Sequence, residues 1–168
     1  MHRIFGILTL TAALAACSMS MSPEQSARLD REYRPVVNAF IPACVATASG
    51  RQADYAAIEA LGYVQRKAAT GAGDYLYPAG KNPLLSNAGI RFVPGKGCYA
   101  GHDGVSGVAL GGMDEIGQVW TRALPDAGYP NVGGSASAYS FTANGQKLNF
   151  RGSFSSNNGL SFSITQAN

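Results

Sequence analysis

Histidine, cysteine and charged side chains are scarce in this chain. Its 168 residues include two histidines, three cysteines and one tryptophan, and only 14% of them are Asp, Glu, Lys or Arg. The net charge is +3, and the basic residues are scattered along the sequence without forming a cluster. Surfaces that bind nucleic acid usually concentrate Lys and Arg in a patch or along one helix. The sequence therefore predicts no nucleic-acid partner.

A long hydrophobic run is also missing, and the apolar segment near the start is short. Residues 4–16 follow the basic Arg3 and would span about 20 Å as a helix, whereas the hydrocarbon core of a bilayer is about 30 Å thick. A basic start followed by a short apolar region is typical of a secretion signal rather than a membrane-spanning helix. We therefore expect this segment to be removed from the mature protein.

The end of the apolar segment indicates which kind of signal it is. Leu14-Ala15-Ala16-Cys17 places two small residues directly before a cysteine, and it resembles the lipobox of bacterial lipoproteins. The resemblance covers residues 1–22 only, and it implies cleavage before Cys17 and attachment of membrane-anchoring lipid to that cysteine. Because Ser18 rather than Asp follows, it also implies the outer membrane, facing the periplasm, in a Gram-negative cell. An ordinary secretory signal that ends near Ala16 is the alternative.

Cleavage at this position divides the chain into three parts. Residues 1–16 are the signal peptide, residues 17–22 a lipidated tether, and residues 23–168 a single domain. A domain of about 150 residues buries about 68–70% of its unfolded surface, so it needs no disulfide to fold. Cys44 and Cys98 nevertheless remain in a compartment that favours disulfides, and we expect them to be joined. Two buried free thiols are the alternative.

Three segments carry helix signals. Residues 22–25 combine an N-cap Ser, a Pro at the first helical position and a Gln at the third, which is how helices commonly begin. Apolar residues then recur at helical spacing over 36–45, where Pro42 is expected to kink the helix. Further helices are predicted at 53–61, which ends before a glycine, and at 114–124, which has one apolar face.

The other segments indicate an antiparallel sheet. Near the carboxyl end, bulky residues occupy alternate positions, and Asn144-Gly145 forms a type I′ turn that sets Phe141 opposite Leu148. We therefore predict an α+β fold, with N-terminal helices packed on a mainly antiparallel sheet that ends in a three-stranded meander. The predicted strands are 63–66, 75–77, 90–93, 105–110 and, in the meander, 139–141, 148–154 and 160–164.

The order of the elements hints at an internal repeat. Leu61-Gly62-Tyr63 follows one predicted helix, and Ala127-Gly128-Tyr129 follows another. An ancient duplication would explain this, but a glycine cap before an aromatic strand start is also common without shared ancestry.

The one histidine left after cleavage is the natural place to look for catalysis. His102 precedes Asp103 between two glycines, and a carboxylate beside a histidine could orient it as a general base. Neighbouring side chains on an extended chain, however, point to opposite sides. The motif therefore favours a turn. Cys98 could be a nucleophile beside His102 only as a thiolate, which a disulfide removes. A zinc site made of Cys44, Cys98, His102 and Asp103 lacks the close ligand pairs that organise such sites.

Hydrolase patterns are equally sparse. No Gly-x-Ser-x-Gly motif of the serine hydrolases occurs. Asp74, Asp103, Asp114 and Glu115 could meet as a pair of acids for glycoside cleavage, but their spacing carries no information about this. We therefore predict no catalytic residue, no metal site and no cofactor, with His102 and Asp103 as the only named candidates.

Taken together, these features predict an envelope lipoprotein with a non-catalytic role. It would bind another envelope protein, peptidoglycan or a small envelope ligand, and envelope assembly is one such role. Two alternatives stay open: a periplasmic hydrolase whose site the sequence does not reveal, and a cell-surface inhibitor of a secreted enzyme. A deep pocket with converging acids would favour the enzyme, and a shallow surface patch would favour the binding protein.

Overall fold

Helices and one antiparallel sheet of eight strands make up the described part of the protein. The structure is a computed structural model that describes residues 22–67, 73–79, 89–102, 113–135, 138–155 and 159–167. In chain order the elements are α1 (Pro23–Ala48), α2 (Ala56–Glu59), β1 (Tyr63–Lys67), β2 (Asp74–Pro78), β3 (Gly89–Val93), β4 (Gly97–His102), α3 (Met113–Asp126), β5 (Gly133–Ser135), β6 (Ala138–Ala143), β7 (Gln146–Ser155) and β8 (Gly159–Gln166). The predicted α+β fold is confirmed.

Helix α1 begins as the sequence predicts. The backbone N–H of Gln25 donates to the Ser22 hydroxyl at 3.2 Å, and the backbone N–H of Ser22 donates to the Gln25 side chain at 2.8 Å. This capping box satisfies two N–H groups that have no partner inside the helix. The helix then continues through Pro35 and Pro42 to Ala48. Both prolines are exposed, and the buried residues of α1 belong to the core. None of the described helices is long and apolar enough to cross a membrane.

The other two helices differ in how well they match their predictions. Helix α3 contains the whole predicted segment 114–124. The prediction of a helix over 53–61 was too long, because α2 has only four residues. The Asp54 carboxylate accepts the backbone N–H of Ala56 at 2.9 Å, and such a local bond is typical of a residue that precedes a helix rather than one inside it. Gly62, with a φ of 85°, then turns the chain into β1.

The strand order in the sheet is β1-β2-β3-β4-β8-β7-β6-β5, and all neighbours are antiparallel. The predicted meander is present with its predicted register, since Phe141 pairs with Leu148 across the Asn144-Gly145 turn. It is larger than predicted, because β5 adds a strand at one edge and β8 pairs with β4 at the other. Strand β4 was not predicted, and the segment 105–110 lies outside the described residues.

The topology contains a structural repeat. A helical segment precedes the meander β1–β4, and α3 precedes the meander β5–β8. The two last strands, β4 and β8, are antiparallel neighbours, so the halves have approximate two-fold symmetry about that junction. Gly62 and Gly128 have nearly equal φ angles, 85° and 87°. These observations agree with the duplication hypothesis at the level of topology.

The core lies between the helices and one face of the sheet. The Trp120 ring on α3 stacks on Phe150 and Phe162, with ring centroids 5.4 and 6.0 Å apart. Its indole N–H donates to the hydroxyl of Tyr33 on α1 at 3.2 Å, which satisfies a buried donor. The Phe40 ring on α1 meets Tyr63 edge to face at 5.4 Å. The helices thus share one core with the sheet.

Buried tyrosines should make the fold sensitive to alkaline pH. Burial raises the pKa of Tyr33 and of Tyr63 above the usual value. Above about pH 10 the unfolded chain loses these protons while the folded chain keeps them, so stability is complete below that pH and falls above it. We expect a loss of about 1.4 kcal/mol per pH unit for each such tyrosine.

Urea unfolding at pH 9, 10 and 11 measures this slope. Tyr63→Phe is the matched variant, because the buried Tyr63 hydroxyl has no hydrogen-bond partner among the residues that the structure describes, so its removal leaves none of those groups unsatisfied. The variant should unfold with a smaller slope and near-unchanged stability at pH 7. An identical slope in the two proteins would contradict the assignment to Tyr63.

Candidate binding face

None of the helices in the described ranges covers the second face of the sheet, and we call this face the open face. Side chains alternate between the two faces of a strand, and Cys98, Phe150 and Phe162 face the helices. The register then assigns the alternate residues to the opposite side. On β1–β4 the open face contains Val64, Arg66, Tyr75, Tyr77, Arg91 and Tyr99, and on β6–β8 it contains Ala138, Ser140, Lys147, Asn149, Arg151, Ser153, Ser161, Ser163 and Thr165.

A single row of paired residues crosses this face. Arginine and tyrosine alternate over the first four strands, where each residue is the direct cross-strand partner of the next. Because neighbouring strands are about 4.8 Å apart, the row is about 29 Å long. From β1 to β6 it consists of Arg66, Tyr75, Arg91, Tyr99, Ser163, Arg151 and Ala138.

The side chains in the first half of the row are held by contacts with one another. The Arg66 guanidinium lies 4.2 Å from the centre of the Tyr77 ring, which is close enough for a cation–π interaction. Tyr75 and Tyr77 stack with centroids 6.1 Å apart. A Cβ atom on Gly89 would collide with the Tyr75 hydroxyl, so the glycine gives this ring room to lie across β3. These contacts hold both tyrosines in place, and Tyr75 stays exposed while the Tyr77 hydroxyl is buried.

Three large side chains of this half are exposed to solvent. Val64, Tyr75 and Tyr99 are 39%, 38% and 43% exposed. Large apolar side chains with this exposure are few in the described residues, and these three lie together on one face of β1, β2 and β4. Because three of the exposed large side chains share this face, we treat it as the candidate interaction surface.

The second half of the open face is made of small polar side chains. The Ser140 hydroxyl donates to the Asn149 side-chain oxygen at 2.9 Å, and the hydroxyls of Ser153 and Ser161 are 2.7 Å apart. Cross-strand pairs of this type contribute modestly to sheet stability. They also present hydrogen-bonding groups to solvent, so the open face joins an aromatic half to a polar half.

Charge is divided between the two sides of the sheet. The open face carries Arg66, Arg91, Lys147 and Arg151, and no acidic residue among those described lies on it. The acidic side chains that the structure describes lie on the helices, in the loop after α1 or on the helix side of β2: Glu24, Asp30, Glu32, Asp54, Glu59, Asp74, Glu115 and Asp126. Basic residues that are scattered along the sequence are thus gathered by the sheet register, which brings four of them to one face.

Two of the residues considered for catalysis, the cysteines, lie away from this face. Cys44 on α1 and Cys98 on β4 are paired, with Cα atoms 5.0 Å apart, and both are fully buried on the helix side. The backbone of His102 ends β4 opposite Leu160, so this residue closes a strand, while Asp103 lies outside the described residues. In the described ranges no three His, Cys, Asp or Glu side chains are grouped in a way that could hold a metal ion.

The acids considered for glycoside cleavage are only partly described. The Asp74 carboxylate accepts a hydrogen bond from the Tyr55 hydroxyl at 3.0 Å on the helix side of β2. Burial and this neighbouring carboxylate raise the pKa of Tyr55. Glu115 lies in the first turn of α3, whereas the side chains of Asp103 and Asp114 lie outside what the structure describes.

Comparisons with known proteins found no family model, no curated protein and no solved structure that matches this chain.

Proposed function

We propose that this protein is a lipid-anchored, non-catalytic module of the bacterial envelope, and that it binds another protein through the open face. The observation that carries the proposal is the row in which Arg66, Tyr75, Arg91 and Tyr99 are direct cross-strand partners. Tyr and Arg are enriched at the residues that dominate binding energy in protein interfaces, and Ser and Asn supply adaptable hydrogen bonds around them. The composition of the open face fits this pattern.

The dimensions of the open face support a protein ligand. Eight strands at about 4.8 Å spacing give a width of about 34 Å, and strands of about five residues give a length of about 17 Å. The flat area of the face is therefore about 600 Å², and side chains that project from it add further accessible surface. This is close to the roughly 800 Å² of accessible surface that each partner buries in a standard interface. A small molecule would use only a fraction of this surface.

The anchor would place the domain close to a membrane. Cys17 precedes the first residue of α1, Pro23, by six positions. Even a fully extended tether of this length spans only about 20 Å. Lipid at Cys17 would therefore keep the domain at the membrane surface, where it meets proteins of the envelope.

Photo-crosslinking in cells tests the proposed function. A photoreactive amino acid replaces Tyr99 on the open face in one variant and the exposed Glu59 at the end of α2 in the other. We expect one defined protein adduct from position 99 and none from position 59. The adduct protein is then purified and must bind the wild-type chain directly. Absence of an adduct at 99, or the same adducts from both positions, would contradict the proposal. If the adduct is a secreted enzyme, the protein acts as an inhibitor.

A further inference from the structure

The polar half of the open face contains a small cavity. It has a volume of about 280 Å³ and lies over β6 and β7, where Ser140, Lys147, Asn149 and Arg151 line it. Sites for drug-sized ligands begin at about 300 Å³ and usually have mostly apolar walls. A polar cavity of this size fits a single side chain better than a whole small molecule.

The groups around this cavity are hydrogen-bond donors. Ser140 donates its hydroxyl proton to the Asn149 side-chain oxygen at 2.9 Å, which leaves the two amide protons of Asn149 for a ligand. The Lys147 ammonium and the Arg151 guanidinium are donors without acceptor capacity. Within the described residues neither cation forms a salt bridge. The cavity therefore favours an acceptor that carries negative charge.

The three donors also have suitable spacing. Lys147, Asn149 and Arg151 are alternate residues of β7 on one face, so their backbone positions are about 7 Å apart. A carboxylate between two of them can accept from the Asn149 amide and from the fork of Arg151 at once, and such charge-assisted bonds are stronger than neutral ones. Arg151 also belongs to the row that crosses the open face, so the cavity is continuous with the tyrosines.

We propose that the cavity between Lys147, Asn149 and Arg151 receives a carboxylate side chain from an acidic surface of a partner protein. This deepens the proposed function and rests on it. Complementary charge argues for such a partner, because the open face has four cations and no described acid. A protein is favoured over an anionic membrane surface because the cations are spaced between fixed tyrosines and serines instead of forming a basic cluster beside protruding apolar residues.

A peptide binding assay tests the carboxylate site even though the partner is unidentified. The full chain, purified from membranes and held in phosphatidylcholine nanodiscs, is titrated into dye-labelled hexaglutamate or hexaglutamine, and fluorescence anisotropy is recorded at low and at physiological salt. We expect hexaglutamate to bind at least tenfold more tightly than hexaglutamine. Raising the salt concentration should weaken this binding, because the cations are exposed.

Three variants make the assay specific for the cavity. Asn149→Asp keeps the shape and the Ser140 bond but places a carboxylate where the ligand should sit, and Arg151→Gln removes the fork. Each should weaken hexaglutamate binding at least tenfold. Arg31→Gln removes an exposed charge from α1 on the other side of the sheet, and it should change binding less than twofold. Equal effects of all three variants, or equal binding of the two peptides, would overturn the carboxylate site.

A membrane arm separates the rival ligand. Phosphatidylglycerol presents lipid phosphates, either in the nanodisc that holds the protein or in separate vesicles. Binding of the nanodisc-held protein to added phosphatidylglycerol vesicles measures recognition of these lipid headgroups. If Arg151→Gln abolishes vesicle binding while hexaglutamate does not bind, the site recognises lipid headgroups and the proposal fails. If Asn149→Asp does not reduce the crosslink at position 99, the carboxylate site is refuted and the proposed function is not. If no crosslink forms at position 99, both the proposed function and the carboxylate site are refuted.

Discussion

Replacing Cys44 and Cys98 together by alanine is expected to lower the free energy of unfolding by about 4 kcal/mol. The two residues are separated by 54 positions, and closing a loop of this length removes about that much conformational entropy from the unfolded chain. For a domain of about 150 residues, this corresponds to a fall in the melting temperature of roughly 10 °C. The bond also joins α1 to β4 beside the β4–β8 junction, so its loss should loosen the contact between helices and sheet.

Thermal unfolding of the wild type, the double variant and the chemically reduced wild type measures this effect. Reduction should reproduce the shift of the double variant, because both remove the same bond. Alkylation under denaturing conditions serves as the control and should detect two thiols only after reduction. Two thiols that react before reduction, or a melting temperature that reduction leaves unchanged, would refute the disulfide.

Cys17→Ala is expected to abolish both fatty-acid labelling and membrane attachment. A chain with several acyl groups stays on a membrane because each buried CH₂ contributes about 0.8 kcal/mol. We expect the released protein to lose its function, whereas His102→Ala should retain it. Replacing a true general base would cost about 10² to 10⁴ in rate, so retained function in His102→Ala would exclude that role.

Complementation of a deletion strain compares these two variants. An envelope phenotype, such as sensitivity to detergent or lysozyme, is scored after confirming that each variant accumulates to the wild-type level. Rescue by Cys17→Ala together with failure of His102→Ala would reverse the account and favour a periplasmic hydrolase. Continued labelling of Cys17→Ala with fatty acid would rule out this residue as the lipidated cysteine.

Local signals explain why parts of the fold were predictable from sequence. The Ser22 cap and the Asn144-Gly145 turn act over three or four residues, and both occur where predicted. The register of the last meander follows from that turn, because a two-residue connection fixes every pair beyond it. Strand β4 was missed because Gly97, Cys98, Ala100 and Gly101 are small, so the strand lacks the bulky alternation that indicates a strand.

The candidate site was not predictable because it depends on pairing between distant segments. Arg66, Arg91 and Arg151 are separated by 25 and 60 positions in the sequence, and nothing local indicates that they share a row. Only the register of β1 to β8 aligns them with Tyr75 and Tyr99. A shift of one residue in any strand would have moved its arginine or tyrosine to the helix side.

The most direct test of the account is the affinity of the crosslinked partner for two matched variants. Tyr99→Ala removes an exposed aromatic from the open face, and Leu61→Ala removes a side chain of similar exposure, 40% against 43%, from the turn after α2. A central interface residue contributes about 2 kcal/mol or more, so Tyr99→Ala should weaken binding about 30-fold, and Leu61→Ala should leave it within twofold of the wild type. Unchanged binding by Tyr99→Ala, or a larger loss in Leu61→Ala, would show that the open face is not the binding surface.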